Sequence, residues 1–111
     1  MPEIPRLSAE QRADALAAAA AARTARAQAR AELKAGRLSL AELLDRADAD
    51  EQLASMRVTA LVAALPGYGK VRAAALLSEL RIAESRRLRG LGPHQRAALL
   101  QRITQTAQSR S

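Results

Sequence analysis

Residues 65–70 read Leu-Pro-Gly-Tyr-Gly-Lys, and this LPGYGK stretch sets two glycines around the chain's only aromatic residue. Proline disfavours the α region for the residue before it, and glycine reaches positive φ without a Cβ clash, so one helix must end here and the chain must reverse. The stretch is a hairpin between helices. Upstream, Val58, Leu61, Val62 and Leu65 keep the i, i+3, i+4, i+7 spacing of a buried helix face. Downstream, residues 71–80 read as a helix with Leu76, Leu77 and Leu80 available to a core. In IAESRRLRGLGPHQ (82–95), Gly90 and Gly92 break the pattern and Pro93 suits the first turn of a last helix carrying Ala97, Leu99, Leu100 and Ile103.

Toward the N-terminus, Ser8 and Gln11 fit a capping box, and no breaker follows before Gly36, so one helix of about seven turns is expected from Ala9 to about Ala35. At 100° per residue, Arg12, Arg23, Arg26, Arg30 and Lys34 fall within about 80° of arc, with Glu10, Asp14 and Glu32 on the opposite side. Between these edges lies mostly alanine, with Leu16 and Leu33 as the sizeable anchors, so the helix reads as an arm. Ser39 and Glu42 form a second capping box, opening a short helix with Leu40, Leu43 and Leu44 on one side. The acidic run from Asp45 to Glu51 lacks the spacing and glycine of a calcium loop, and helix-start and solvated-turn roles suffice for it.

Of 111 residues 28 are alanine, and valine plus isoleucine number only six, so the core is small and strands are not expected. The expected fold class is all-α: a long N-terminal helix followed by a small helical domain. Residues 1–37 form a disordered lead-in and the arm, residues 38–103 the helical domain, and residues 104–111 a disordered polar tail. With no cysteine and one histidine, neither disulfides nor a zinc site are expected, and no cofactor or metal is assigned. No uncharged stretch approaches a membrane span, and the acidic residues before the alanine run from Ala15 to Ala22 suit a signal peptide poorly, so the chain reads as cytoplasmic. The net charge of +7 is unevenly placed: residues 1–37 carry +3, 38–65 carry −3 and 66–111 carry +7. A basic half of this kind points to a polyanionic partner, most often nucleic acid.

Gly67 and Gly69 let another backbone approach the hairpin, and the N–H groups where the next helix begins make a natural phosphate seat, with Lys70 and Arg72 adding charge beside it. Arg86, Arg87 and Arg89 crowd one turn, where guanidinium groups can grip phosphates bidentately. The plainer alternatives are a reversal in which Tyr68 caps the core, and a solvated charge cluster. On the arm, Arg23, Arg26, Arg30 and Lys34 extend the basic set.

LPGYGKVRAAALL resembles a helix-hairpin-helix, and its continuation through RRLRGLGPHQRAALL resembles the helix-two-turns-helix of the actinobacterial integration host factor family. The likeness covers nearly the whole chain after about residue 8. The resemblance implies a monomeric, nucleoid-associated, non-enzymatic protein that binds duplex DNA with little sequence preference and bends or compacts it. It also implies a role in phage integration or topology control, with an integrase or topoisomerase as further partner. By position it assigns DNA contacts to Pro66, Gly67, Gly69, Lys70, Arg72, Arg86, Arg87 and Arg89. Tyr68 stands where a smaller aliphatic residue is usual. Two alternatives remain. A ribosomal protein that contacts the head of the small subunit carries the same motif, which suggests RNA binding, although its basic tail and any aromatic cluster for stacking bases are missing here. DNA glycosylases with this motif also begin with proline and glutamate, as in MPEIP, which suggests an abasic-site lyase using the Pro2 amine, although their length and zinc-finger cysteines are absent.

Overall fold

The computed structural model describes residues 7–109 and is all-helical. Helix α1 spans Ala9–Lys34, α2 Leu40–Ala47, α3 Glu51–Ala54, α4 Val58–Ala64, α5 Lys70–Glu79 and α6 Pro93–Ser109, with a 3₁₀ turn over Leu88–Gly90. No strand occurs among the described residues, only an isolated antiparallel bridge between Arg57 and Arg87. Pro2 and the rest of the expected lead-in lie outside the described residues.

Each helix boundary has a local cause. Ser8 accepts from the Gln11 N–H while the Gln11 side chain accepts from the Ser8 N–H, and Ser39 and Glu42 repeat this reciprocal pair at α2. Helix α1 stops because Gly36 turns left-handed at φ 76°, which lets the Arg37 N–H reach the Glu32 carbonyl and the Gly36 N–H reach that of Leu33. The same two bonds end α5, from Ile82 to Leu77 and from Arg81 to Ser78, but there the left-handed residue is Arg81 at φ 58°. Ile82, just beyond, is buried and completes the stop with an apolar contact to the core.

The core gathers fully buried Leu33, Leu43, Leu44, Val58, Leu61, Val62, Leu77 and Leu99. Helix α1 contributes only Ala29 and Leu33 to it, and residues 9–21 are exposed throughout, so the arm projects from a molecule 60 Å long and 25–30 Å across. Leu16, expected as an anchor, is 70% exposed, because it sits more than three turns before the first residue of α1 that meets the core. The expected disordered tail is also corrected: α6 continues past Ile103 through Ser109, while Arg110 and Ser111 lie outside the described residues. No glycine or proline interrupts QTAQS, so extending the helix requires no new nucleation. Half-buried Thr106 shares an apolar groove with Leu38, Tyr68 and Ile103.

Replacing Arg81 by glycine relieves the left-handed strain and is expected to raise unfolding stability by up to about 1 kcal/mol, while Ser39→Ala, which removes a cap, lowers it by about 1 kcal/mol. Chemical denaturation checks both. The Glu42 carboxyl is held below its ordinary range, chiefly by the Ser39 backbone N–H and further by the Ser39 hydroxyl. Its contribution to stability is present above the ordinary carboxylate range and disappears as pH falls through the lowered folded value. Glu42→Gln is therefore expected to flatten the acid limb of the stability curve.

Candidate nucleic-acid interface

The hairpin folds as its composition requires. Leu65, ahead of Pro66, is extended at ψ 146°, and Gly67 and Gly69 take φ 81° and 104°. The Tyr68 N–H donates to the Leu65 carbonyl and the Gly69 N–H to that of Ala63, so these two donors point inward. Helix α5 starts at Lys70 with no side-chain cap. The donors open to an anion are therefore the first-turn N–H groups of Lys70, Val71 and Arg72, not those of Tyr68 and Gly69. Tyr68 is half-buried against the core, so the plain role of core cap is fulfilled as well. The Arg72 guanidinium lies 4.8 Å from the centre of the Tyr68 ring and donates to the Gly67 carbonyl, tying the first turn of α5 to the hairpin. Pro66, Gly67 and Lys70 are exposed, and Gly69 is partly exposed.

The arginine turn is fixed by main chain. The Val58 N–H donates to the Arg86 carbonyl and the Leu88 N–H to the Met56 carbonyl, both at 2.9 Å. These bonds flank Arg57 and Arg87, which therefore form the closely spaced, non-hydrogen-bonded pair of an antiparallel bridge, with side chains on one face. Met56, Val58 and Leu88 are buried while Arg57 and Arg87 are exposed, a two-residue alternation inside a helical protein. Arg87 donates to the Ser55 carbonyl at 2.6 Å, and Arg86 to the Gly90 carbonyl at 2.6 Å, bracing the 3₁₀ turn. Arg89 instead reaches Glu51 at 3.0 Å.

The carboxylates divide the basic residues into two groups. Among the described residues, Arg46 pairs with Glu32, Arg89 with Glu51, Arg96 with Asp45 and Asp48, and Arg102 with Glu79. The acidic run thus neutralises arginines on its own side. The other basic residues among those described have no such ion pair, and five of them, Arg26, Arg30, Lys34, Arg57 and Arg87, line two adjoining concavities. One lies between α1 and the hairpin, bordered by Arg30, Lys34, Pro66, Gly67 and Gly69. The other, of about 300 Å³, is lined by Arg26, Arg30, Arg57 and Arg87 with Ser55 and Ala60, and no carboxylate. Arg30 belongs to both.

The structure therefore brings Arg26, Arg30 and Lys34 of the arm to Pro66, Gly67, Gly69 and Arg87. Arg23 borders neither concavity, Arg86 is engaged within its own turn, and Arg89 faces the acidic side. Arg57 belongs to the site, and the sequence reading missed it. It is a lone arginine before VTALV, and only pairing with a residue thirty positions later places it beside Arg87.

A family model for an S13-like H2TH domain matches residues 33–103. The integration host factor of Mycolicibacterium smegmatis is 52% identical over 103 residues, covering 93% of this chain and 98% of that protein. This chain belongs to the integration host factor family of actinobacteria. The Mycobacterium tuberculosis member is likewise 52% identical, over 90% of this chain and 95% of its own. A solved structure of sIHF bound to an 8bp palindromic DNA superposes with a TM-score of 0.74 at 44% identity, covering 76% of this chain and 94% of that one.

A Cβ at Gly69 would meet nothing within 4 Å, so the need for glycine there comes from backbone conformation: φ 104° with ψ 173° is a region open essentially to glycine alone. Gly69→Ala is expected to lower stability by about 1–3 kcal/mol despite the open space, measured by thermal or chemical unfolding. A neutral effect would mean that the hairpin relaxes without loss.

Proposed function

We propose that this chain is a nucleoid-associated protein that binds duplex DNA through phosphate contacts, largely without sequence preference, and bends or compacts it. The observation that carries this reading is the segregation of charge: the arm, the hairpin and the bridge present unneutralised cations on adjoining surfaces, while carboxylates occupy the opposite ones. Guanidinium and ammonium groups on a concave, polar surface with exposed backbone suit phosphate oxygens, which are the same on every sequence. The DNA-bound relative supports duplex DNA as the ligand. The relatives' name, integration host factor, supports a role as host factor in integration, and we propose with it a part in phage integration or control of DNA topology beside an integrase or topoisomerase. The protein acts as a monomer, by binding and not by catalysis. DNA contacts are assigned to Pro66, Gly67, Gly69, Lys70, Arg72 and Arg87, with Arg26, Arg30 and Lys34 from the arm, and Arg23, Arg86 and Arg89 are assigned to the flanks of this surface, outside the two concavities.

Gel-shift titrations on unrelated duplexes test the reading. Affinities are expected to agree across sequences, and with about five phosphates neutralised log K against log[salt] has a slope of about −4.5. Arg26→Ala with Arg30→Ala flattens that slope by about two. Arg102→Ala, at an arginine already paired with Glu79, leaves it nearly unchanged. Equal affinity of the Arg26/Arg30 variant and the parent would refute the assignment of the arm, and preference for duplex RNA in competition would transfer the site to RNA.

A further inference from the structure

Arg57 and Arg87 stand directly opposite each other in the bridge, at the register where cross-strand side chains come closest. Like charges placed this way repel, and neither has a carboxylate partner among the described residues; Arg26 and Arg30 close the same concavity from α1. Four guanidinium groups around about 300 Å³ with no acid among them form a surface completed by an anion. The adjoining concavity at the hairpin shares Arg30 and adds Lys34.

The arm sets the spacing between the two. Arg26, Arg30 and Lys34 follow one another at i, i+4, which on a helix means steps of about 6 Å along nearly one line. Successive phosphates of one DNA strand rise about 3.4 Å along the duplex axis, and winding around the axis roughly doubles the step between them. The three cations therefore match three consecutive phosphates. A stripe laid across a groove from strand to strand would leave Arg30, the shared middle residue, over the groove with no phosphate to meet.

We infer that the bridge concavity and the hairpin concavity are neighbouring seats for consecutive phosphates of a single DNA strand, with Arg30 common to both and Arg57 a direct contact in the first. This rests on the duplex-DNA reading above and adds a residue and a strand register to it. The bridge seat takes Arg26 and Arg30 from the arm and Arg57 and Arg87 from the helical domain, and the hairpin seat takes Arg30 and Lys34 from the arm beside the Pro66–Gly69 backbone, so a bound strand bridges the two parts of the molecule.

Salt-dependent binding by the full chain tests the inference, with one variant in each seat. Arg57→Ala and Lys34→Ala are each expected to flatten the log K against log[salt] slope by about 0.9. Arg57→Ala is also expected to weaken binding by about tenfold, as for loss of one charge-assisted bond. Arg57→Lys, which keeps the charge, retains the parent slope, whereas loss of a structural role would move thermal stability and leave the slope alone. Both titrations are repeated on a duplex with one strand made entirely of uncharged methylphosphonates. Seats on a single strand keep both decrements there, because the protein places its seats on the charged strand. Disappearance of either decrement on that duplex would put the seats on opposite strands and overturn the inference. So would an Arg57→Ala or Arg57→Gln variant, folded as the parent, with unchanged slope. If the parent itself bound duplex DNA without salt dependence, the duplex-DNA reading would fall first.

Discussion

Two main-chain hydrogen bonds between residues 56–58 and 86–88 hold the functional surface in place. They close a loop of some thirty residues that contains α4, the hairpin and α5, and the entropy lost in closing such a loop must be offset locally. Met56, Val58 and Leu88 supply the offset, since the alternation of the bridge turns all three into the core. Because the period is two, the same alternation sends Arg57 and Arg87 outward together. Burial on one face thus dictates the placement of charge on the other. A shift of one residue in either segment would bury an arginine and expose a core side chain, so the register is strongly specified.

The pairing also explains why the protein can keep two arginines side by side. Repulsion between solvated charges is weak beside the burial of three apolar side chains, and the Ser55 carbonyl fixes the direction of Arg87 without neutralising it. Elsewhere the fold balances its charge. Helices α2 and α3 and the turn between them bring Asp45, Asp48 and Glu51 to Arg96 and Arg89, and none of these carboxylates borders the two basic concavities. Those pairs are exposed and add little stability individually. Their larger effect is on the field, which they cancel on one side and leave intact on the other.

Most of the fold was legible because it depends on local signals. Capping boxes at Ser8 and Ser39, the glycine at 36, the LPGYGK reversal and Pro93 each act within a few residues, and the helices begin or end where those signals lie. The readings that failed depended on tertiary placement. Leu16 has the right chemistry for an anchor but lies where α1 has left the core, and Thr106 has the wrong chemistry for one yet meets the groove beside Tyr68. The site divided in the same way. Glycines and clustered arginines marked the hairpin and the turn, whereas Arg57 carries no local mark and is found only through the bridge. Arg89, one of three arginines in a single turn, differs from Arg87 only in what it faces, and that is Glu51, thirty-eight residues away.

The weak anchoring of α1 then acquires a physical sense. An alanine-rich helix is among the easiest to extend into solvent, because it loses little side-chain entropy and buries nothing that must be covered. Its buried anchors, however, are Ala29 and Leu33 near its end. Arg26, Arg30 and Lys34 lie within one turn of those two residues, on the part of the arm whose position the core determines, while Arg12 and Arg23 lie on the part it does not. Cations that must meet a fixed array of phosphates bind better when the fold already holds them in position, since each long side chain ordered on binding costs about 0.5–1.5 kcal/mol. The two concavities lie where the arm is anchored, and the charges beyond them contribute to the long-range field without sharing a fixed geometry.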